Sequence, residues 1–236
     1  MIIALLDALP DISVLRNALI APPWAGGEVS RHATQTAQTL SNACPGARIL
    51  PVPILDSNGQ SGDIRAMSQA FTWLAENAER FGINLICAPI SDGTNSIDDS
   101  ELRESELGVA ISNLRQRGVL TVAAAGNGFR YGSRAFCQGM GTPAILRETI
   151  SVGAANGSEP APRSQRLALS GPCRTTCFAH PAPPGGTSGA AARVSSMIAA
   201  RMIKGESGEV ALAELLHGSA ETVVGGPEEI WPALLD

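Results

Sequence analysis

The sequence is poor in aromatic and in charged residues. Aromatics make up 4% of its 236 positions and charged residues 17%, against roughly 25% charged in an average soluble chain. Positive charge is the scarcer kind: 17 Lys and Arg against 22 Asp and Glu leave a net charge of −5. No basic cluster reaches the density that neutralising a phosphate backbone demands, which excludes nucleic acid as a partner. Long apolar runs are missing too. None approaches the roughly 20 residues that cross a bilayer, so the expectation is a soluble chain with no membrane partner. Cysteine is sparse and odd in number, five residues at 44, 87, 137, 173 and 177. That fits a reducing, cytoplasmic compartment better than a disulfide framework, and a chain long enough to bury a continuous core is no disulfide-stapled miniprotein. The apolar start, Met1 to Leu6, has no basic flank and is stopped by Asp7, so it reads as a strand and not as a signal peptide.

What is present is glycine (25) and proline (16), the balance of a close-packed, turn-rich α/β chain, and the length suits one domain over residues 1–236. Met1–Leu6, Arg48–Leu55, Ile83–Ile90, Val119–Ala125 and Thr149–Ala154 are short apolar stretches bounded by turn formers or acids, the mark of buried strands. Between them, Ile64, Met67, Phe71, Leu74, Ala78 and Phe81 recur at helical spacing with Gly82 as the stop, and Leu107, Ala110, Ile111 and Leu114 do the same before Gly118. Strands alternating with crossover helices predict a three-layer sandwich around a mostly parallel central sheet. Ligands of such sheets sit at the carboxyl ends of the strands. The Pro, Gly and Ser rich stretch Gly157–Gly186 reads as surface loop with one or two short strands.

The carboxyl-end rule selects polar residues that close a strand. Asp7 follows MIIALL, and Asn127 follows GVLTVAAAG, where its amide can donate to a developing oxyanion. His32 opens the helical stretch HATQTAQTL behind Ser30, a good N-cap. Ser188, in GGTSGAAARVSSMIAARMI, opens a helix whose positive end favours charge on its oxygen. With His32 as base and Asp7 to orient it, these supply a nucleophile, a base and an orienting acid. Singly, each has a plainer role: strand-end cap, surface histidine, N-cap, turn asparagine.

Together these segments resemble the subtilases, the subtilisin-like serine proteases, over most of the chain. IALLDAL at 3–9 is similar to the strand with the catalytic Asp and HATQTAQTL at 32–40 to the helix with the catalytic His. ARILPVPILDSNGQSGDI at 47–64 is similar to the family's strand, turn and helix start after that helix. INLICAPISDG at 83–93 looks like the substrate-lining strand, GVLTVAAAGN at 118–127 like the segment ending in the oxyanion Asn, ETISVGAANGSE at 148–159 like the next strand, and GGTSGAAARVSSMIAA at 185–200 like the nucleophile helix. The motif neighbours depart from the family: Asp7-Ala8-Leu9 for Asp-Thr-Gly, His32-Ala33-Thr34-Gln35 for His-Gly-Thr-His, Gly186-Thr187-Ser188-Gly189 for Gly-Thr-Ser-Met. The stretch between Ala154 and Ser188 is short for the family, which leaves room for a partner chain to complete the pocket.

The resemblance implies a serine endopeptidase with catalytic Asp7, His32, Ser188 and Asn127, needing no cofactor and no metal. Its peptide or protein substrate is implied to lie along Ile90, Ser91, Asp92 and Gly93, with Ala125 and Gly126 walling the primary pocket and Asp92 adding a preference for a basic residue. With no signal peptide and no stretch ahead of the first strand to act as a prosegment, an intracellular precursor-processing role is expected. The rival is a catalytically weak subtilase-fold module that binds peptides; an esterase or ligase on the same triad is a third. Cys173, Cys177 and His180 lack a fourth metal ligand, leaving a disulfide or two free thiols. Cys87 reads as core, His217 as a helix-end cation, and the acidic run Asp98, Asp99, Glu101, Glu104, Glu106 as a solvated approach to a helix.

Overall fold

The computed structural model describes residues 1–15, 28–56, 64–129, 138–168, 171–219, 222–223, 230–231 and 234–235. Cys137 and residues 57–63 of the motif at 47–64 lie outside the described residues. The chain runs β1 (Ile2–Asp7), α1 (Arg31–Ala43), β2 (Arg48–Pro53), α2 (Ile64–Phe81), β3 (Ile83–Ala88), α3 (Glu106–Gln116), β4 (Leu120–Ala124) and β5 (Ile150–Asn156). Then come β6 (Glu159–Pro160), β7 (Cys177–Ala179), α4 (Gly186–Ile203), α5 (Gly208–His217), β8 (Thr222–Val223), β9 (Ile230–Trp231) and β10 (Leu234–Leu235). This is the strand and helix alternation that the sequence predicts.

The central sheet has the order β10-β7-β5-β4-β3-β1-β2, with every neighbouring pair parallel, and β6 attaches antiparallel to β5. Period-two alternation sends successive strand residues to opposite faces. Ile3 and Leu5 join α1, α4 and α5 in one core, whereas Ala4 and Leu6 join α2 and α3 in the other. The result is a mostly parallel sheet between two helical layers. β1 is flanked on one side by β2 and on the other by β3, so a crevice opens at their carboxyl ends. Asp7 ends β1 there, and Pro89 comes directly after β3.

Two expectations are corrected. The stretch Gly157–Gly186 supplies the two short strands expected, β6 and β7, but it is no surface loop: Ser164, Gln165, Arg166, Cys173, Thr175, Cys177 and Phe178 within it are buried. Asp99, in the acidic run, is not solvated. It is 1% exposed, and Arg147 donates Nε to one carboxylate oxygen at 2.8 Å and a terminal nitrogen to the other at 2.6 Å. Burial works to raise the Asp99 pKa, but the Arg147 hydrogen bonds and charge overcome it and bring the value down to about 2.

Candidate active site

His32 and Asp7 meet because β1 and α1 both deliver polar residues to the carboxyl edge. Ser30 caps α1, its hydroxyl accepting from the Ala33 N–H at 3.0 Å, so the helix starts immediately before His32. The His32 Nδ1 lies 2.8 and 3.0 Å from the two oxygens of Asp7, which is wholly buried and also accepts from the Ala8 N–H at 2.7 Å. A carboxylate only accepts, so Nδ1 carries the proton and Nε2 keeps its lone pair, the tautomer of a general base. Burial works to lower the His32 pKa, and the Asp7 hydrogen bond and charge outweigh it, leaving the imidazole above its ordinary value of 6.5.

Ser188 lies in the first turn of α4 and is 9% exposed. Its hydroxyl donates to the Pro89 carbonyl at 2.8 Å. Small residues let this helix lie close to the sheet, with Ala190, Ala191 and Ala192 fully buried. Gly189 has a packing reason: a Cβ there would sit 1.8 Å from the Ala182 carbonyl oxygen, so the methionine typical of the family has no room.

Two bonds latch the end of β4 onto the start of α4. The Gly126 N–H donates to the Thr187 hydroxyl at 3.2 Å, and the Thr187 N–H donates to the Asn127 Oδ1 at 3.1 Å. With Oδ1 so engaged, the amide nitrogen is the end of Asn127 left to donate. Thr187 is a site residue that sequence reasoning missed, although it adjoins Ser188.

His32, Asn127 and Ser188 line one cavity of about 380 Å³, together with Pro89, Ile90, Ser91, Gly93, Gly128 and Gln165. Three of the six expected substrate-contact residues, Ile90, Ser91 and Gly93, are therefore brought to it. The other three are not. Ala125 is fully buried in the core beneath α2 and α3. Gly126 is backed by the Gln165 amide, whose Oε1 would be 2.0 Å from a Cβ there. The Asp92 Oδ1 is taken up by its own loop, accepting from the Thr94 N–H at 3.1 Å, the Thr94 hydroxyl at 2.6 Å and the Thr142 N–H at 2.9 Å.

The remaining candidates fall elsewhere. Cys173 and Cys177 are free thiols that belong to the cores on opposite faces of the sheet, so a disulfide between them is excluded. Burial pushes the Cys177 thiol up to about 12, and Cys87, fully buried, also to about 12, which leaves both unreactive. His217 is exposed at the last turn of α5. Among the described residues, no helix is long and apolar enough to cross a membrane.

A family model described as the subtilase family matches residues 25–210. Among solved structures, the prenylagaramide maturation protease PagA is similar with a TM-score of 0.74 at 19% identity, over 100% of this chain and 90% of that one. The self-cleaved protease domain of PatA is similar with a TM-score of 0.66 at 24% identity, over 93% of this chain and 88% of that one. No curated protein sequence matches the chain. At such identities the structural likeness is one of fold.

Proposed function

The chain belongs to the subtilase family, and from that premise we propose that it is a serine endopeptidase acting on extended segments of peptide or protein precursors within the cell. One observation carries this reading: His32, Ser188 and Asn127 line a single cavity, and buried Asp7 grips the far side of the His32 ring. Ser188 Oγ attacks the peptide carbonyl carbon while its proton passes to His32 Nε2. The carbonyl π bond opens to an oxyanion that takes hydrogen bonds from the Asn127 amide and the Ser188 backbone N–H. Asp7 balances the imidazolium charge and holds the ring. His32 then gives the proton to the leaving amine, the C–N bond breaks, and water repeats the cycle on the acyl-enzyme, restoring Ser188 and releasing a carboxylate.

The precursor role draws on the name of one similar structure, a maturation protease. The segment Ile90–Gly93 leaves the sheet beside Ser188, and strand addition there would select extended substrates, with backbone hydrogen bonds for affinity and side chains for selectivity. A second reading, a peptide-binding module without turnover, is favoured by the Ser188 hydroxyl donating to Pro89. Incubating a diverse peptide library with the chain and with Ser188→Ala, then sequencing the products by mass spectrometry, tests the proposal. Cleavage by the parent alone supports it. Intact peptides in both samples favour the binding module.

A further inference from the structure

Gln165 lies in the stretch that the sequence hides as loop, yet it lines the cavity with only 2% of its surface exposed. Its side chain bridges the segment that follows Gly93 and the segment that follows β4. Nε2 donates to the Thr94 carbonyl at 2.8 Å and to the Asn95 Oδ1 at 2.8 Å, while Oε1 accepts from the Gly128 N–H at 3.2 Å. The Gln165 backbone N–H adds a bond to the Gly126 carbonyl at 2.8 Å. Both amide protons are thus committed within the protein, and none remains to read a substrate polar group.

The position decides what this does. With the attacked carbonyl at Ser188 and its oxygen toward Asn127, a substrate strand laid along Ile90–Gly93 would place the side chain of the residue bearing that carbonyl in the cavity that Ser91, Gly128 and Gln165 line. The space behind Gly126 is already filled by the Gln165 amide. Resting on the serine-protease reading, we propose that Gln165 is a specificity-determining plug that closes the primary pocket and restricts cleavage to bonds following a small residue: glycine, alanine or serine. The restriction is one of volume. A large side chain would need space that the buried Gln165 side chain already occupies.

The test uses peptidyl diphenyl phosphonates bearing an alanine or a phenylalanine side chain at the reacting position, with Ser188 labelling followed by intact mass. In the parent chain the alanine probe labels at least tenfold faster than the phenylalanine probe. Gln165→Ala, which removes the plug, narrows or reverses that ratio by one to two orders of magnitude. Gln165→Met, which fills the same space without the hydrogen bonds, keeps the parent ratio and guards against a loop that merely loosens. Equal labelling by both probes in the parent, or a Met variant as permissive as the Ala variant, overturns the plug while leaving the protease reading intact. Absence of labelling by either probe in the folded parent overturns the protease reading and the plug with it.

Discussion

The Ser188 hydroxyl donates to the Pro89 carbonyl at 2.8 Å, although His32 lines the same cavity. A hydroxyl has one proton to give, so here the proposed nucleophile is anchored to the segment leaving β3 and its proton is turned to Pro89. In the proposed reaction this proton leaves Pro89 and passes to His32 Nε2. Catalytic hydrogen bonds are often incomplete before substrate arrives, and a strand laid along Ile90–Gly93 would arrive next to Pro89 itself.

Replacing the proposed oxyanion donor separates binding from chemistry. Asn127→Ala is expected to lower kcat by about 10²–10³, the range for losing one such donor, with KM little changed. Steady-state kinetics on a cleaved peptide checks this. A raised KM with kcat unchanged would make Asn127 a ground-state contact instead.

The pH profile derives from the Asp7–His32 pair. As the proposed base His32 works only when neutral, and Asp7 holds its pKa above 6.5 against the effect of burial, so kcat/KM is expected to fall as pH drops through a value above 6.5. In the charged form the pair adds stability below pH 6.5, and this is lost as pH rises through the folded value. Asp7→Asn removes both raising influences and leaves burial, so the acid limb should move below 6.5 while kcat falls by about 10⁴. An acid limb that stays in place in that variant would contradict the pairing.

Gly189→Met restores the family's residue and should harm this chain. The Ala182 carbonyl stands 1.8 Å from the Cβ position, and crowding of this kind costs about 1–3 kcal/mol. Thermal unfolding should shift down by several degrees. An unchanged Tm would show that the Ala182 segment yields freely.

Asp99 and Arg147 make an acid-stability prediction. With the folded Asp99 pKa at about 2 against an ordinary 3.8, its contribution is fully present above about pH 4 and is lost as pH falls toward 2. The amount is about 2 kcal/mol. Urea unfolding at pH 5, 3 and 2 should show that loss in the parent and not in Asp99→Asn; parallel curves for the two would contradict it.

Much of the fold was legible because strand length, helical spacing and the stops at Gly82 and Gly118 are local signals. That Asp7, His32, Asn127 and Ser188 come together was legible because each follows a strand or opens a helix at one edge; their catalytic roles are the proposal. Gln165 was not legible. It sits in a stretch whose Pro, Gly and Ser content masks its burial, and its partners Thr94 and Asn95 are about 70 residues away. Asp99 was hidden in the same way, since its partner Arg147 is 48 residues distant and nothing local separates it from its exposed acidic neighbours. Asp92, Ala125 and Gly126 lie beside residues that line the cavity. Whether such residues face a cavity is decided by loop hydrogen bonds and strand alternation that spacing alone leaves open.

The central claim is that Ser188 is an activated nucleophile. A fluorophosphonate reacts with a serine hydroxyl only when a base draws off its proton, and it needs no knowledge of the natural substrate. Intact-mass and peptide mapping of the treated protein should place one adduct on Ser188, absent in Ser188→Ala and strongly slowed in His32→Ala. A folded parent chain that takes up no label, or that labels equally well without His32, would contradict the account.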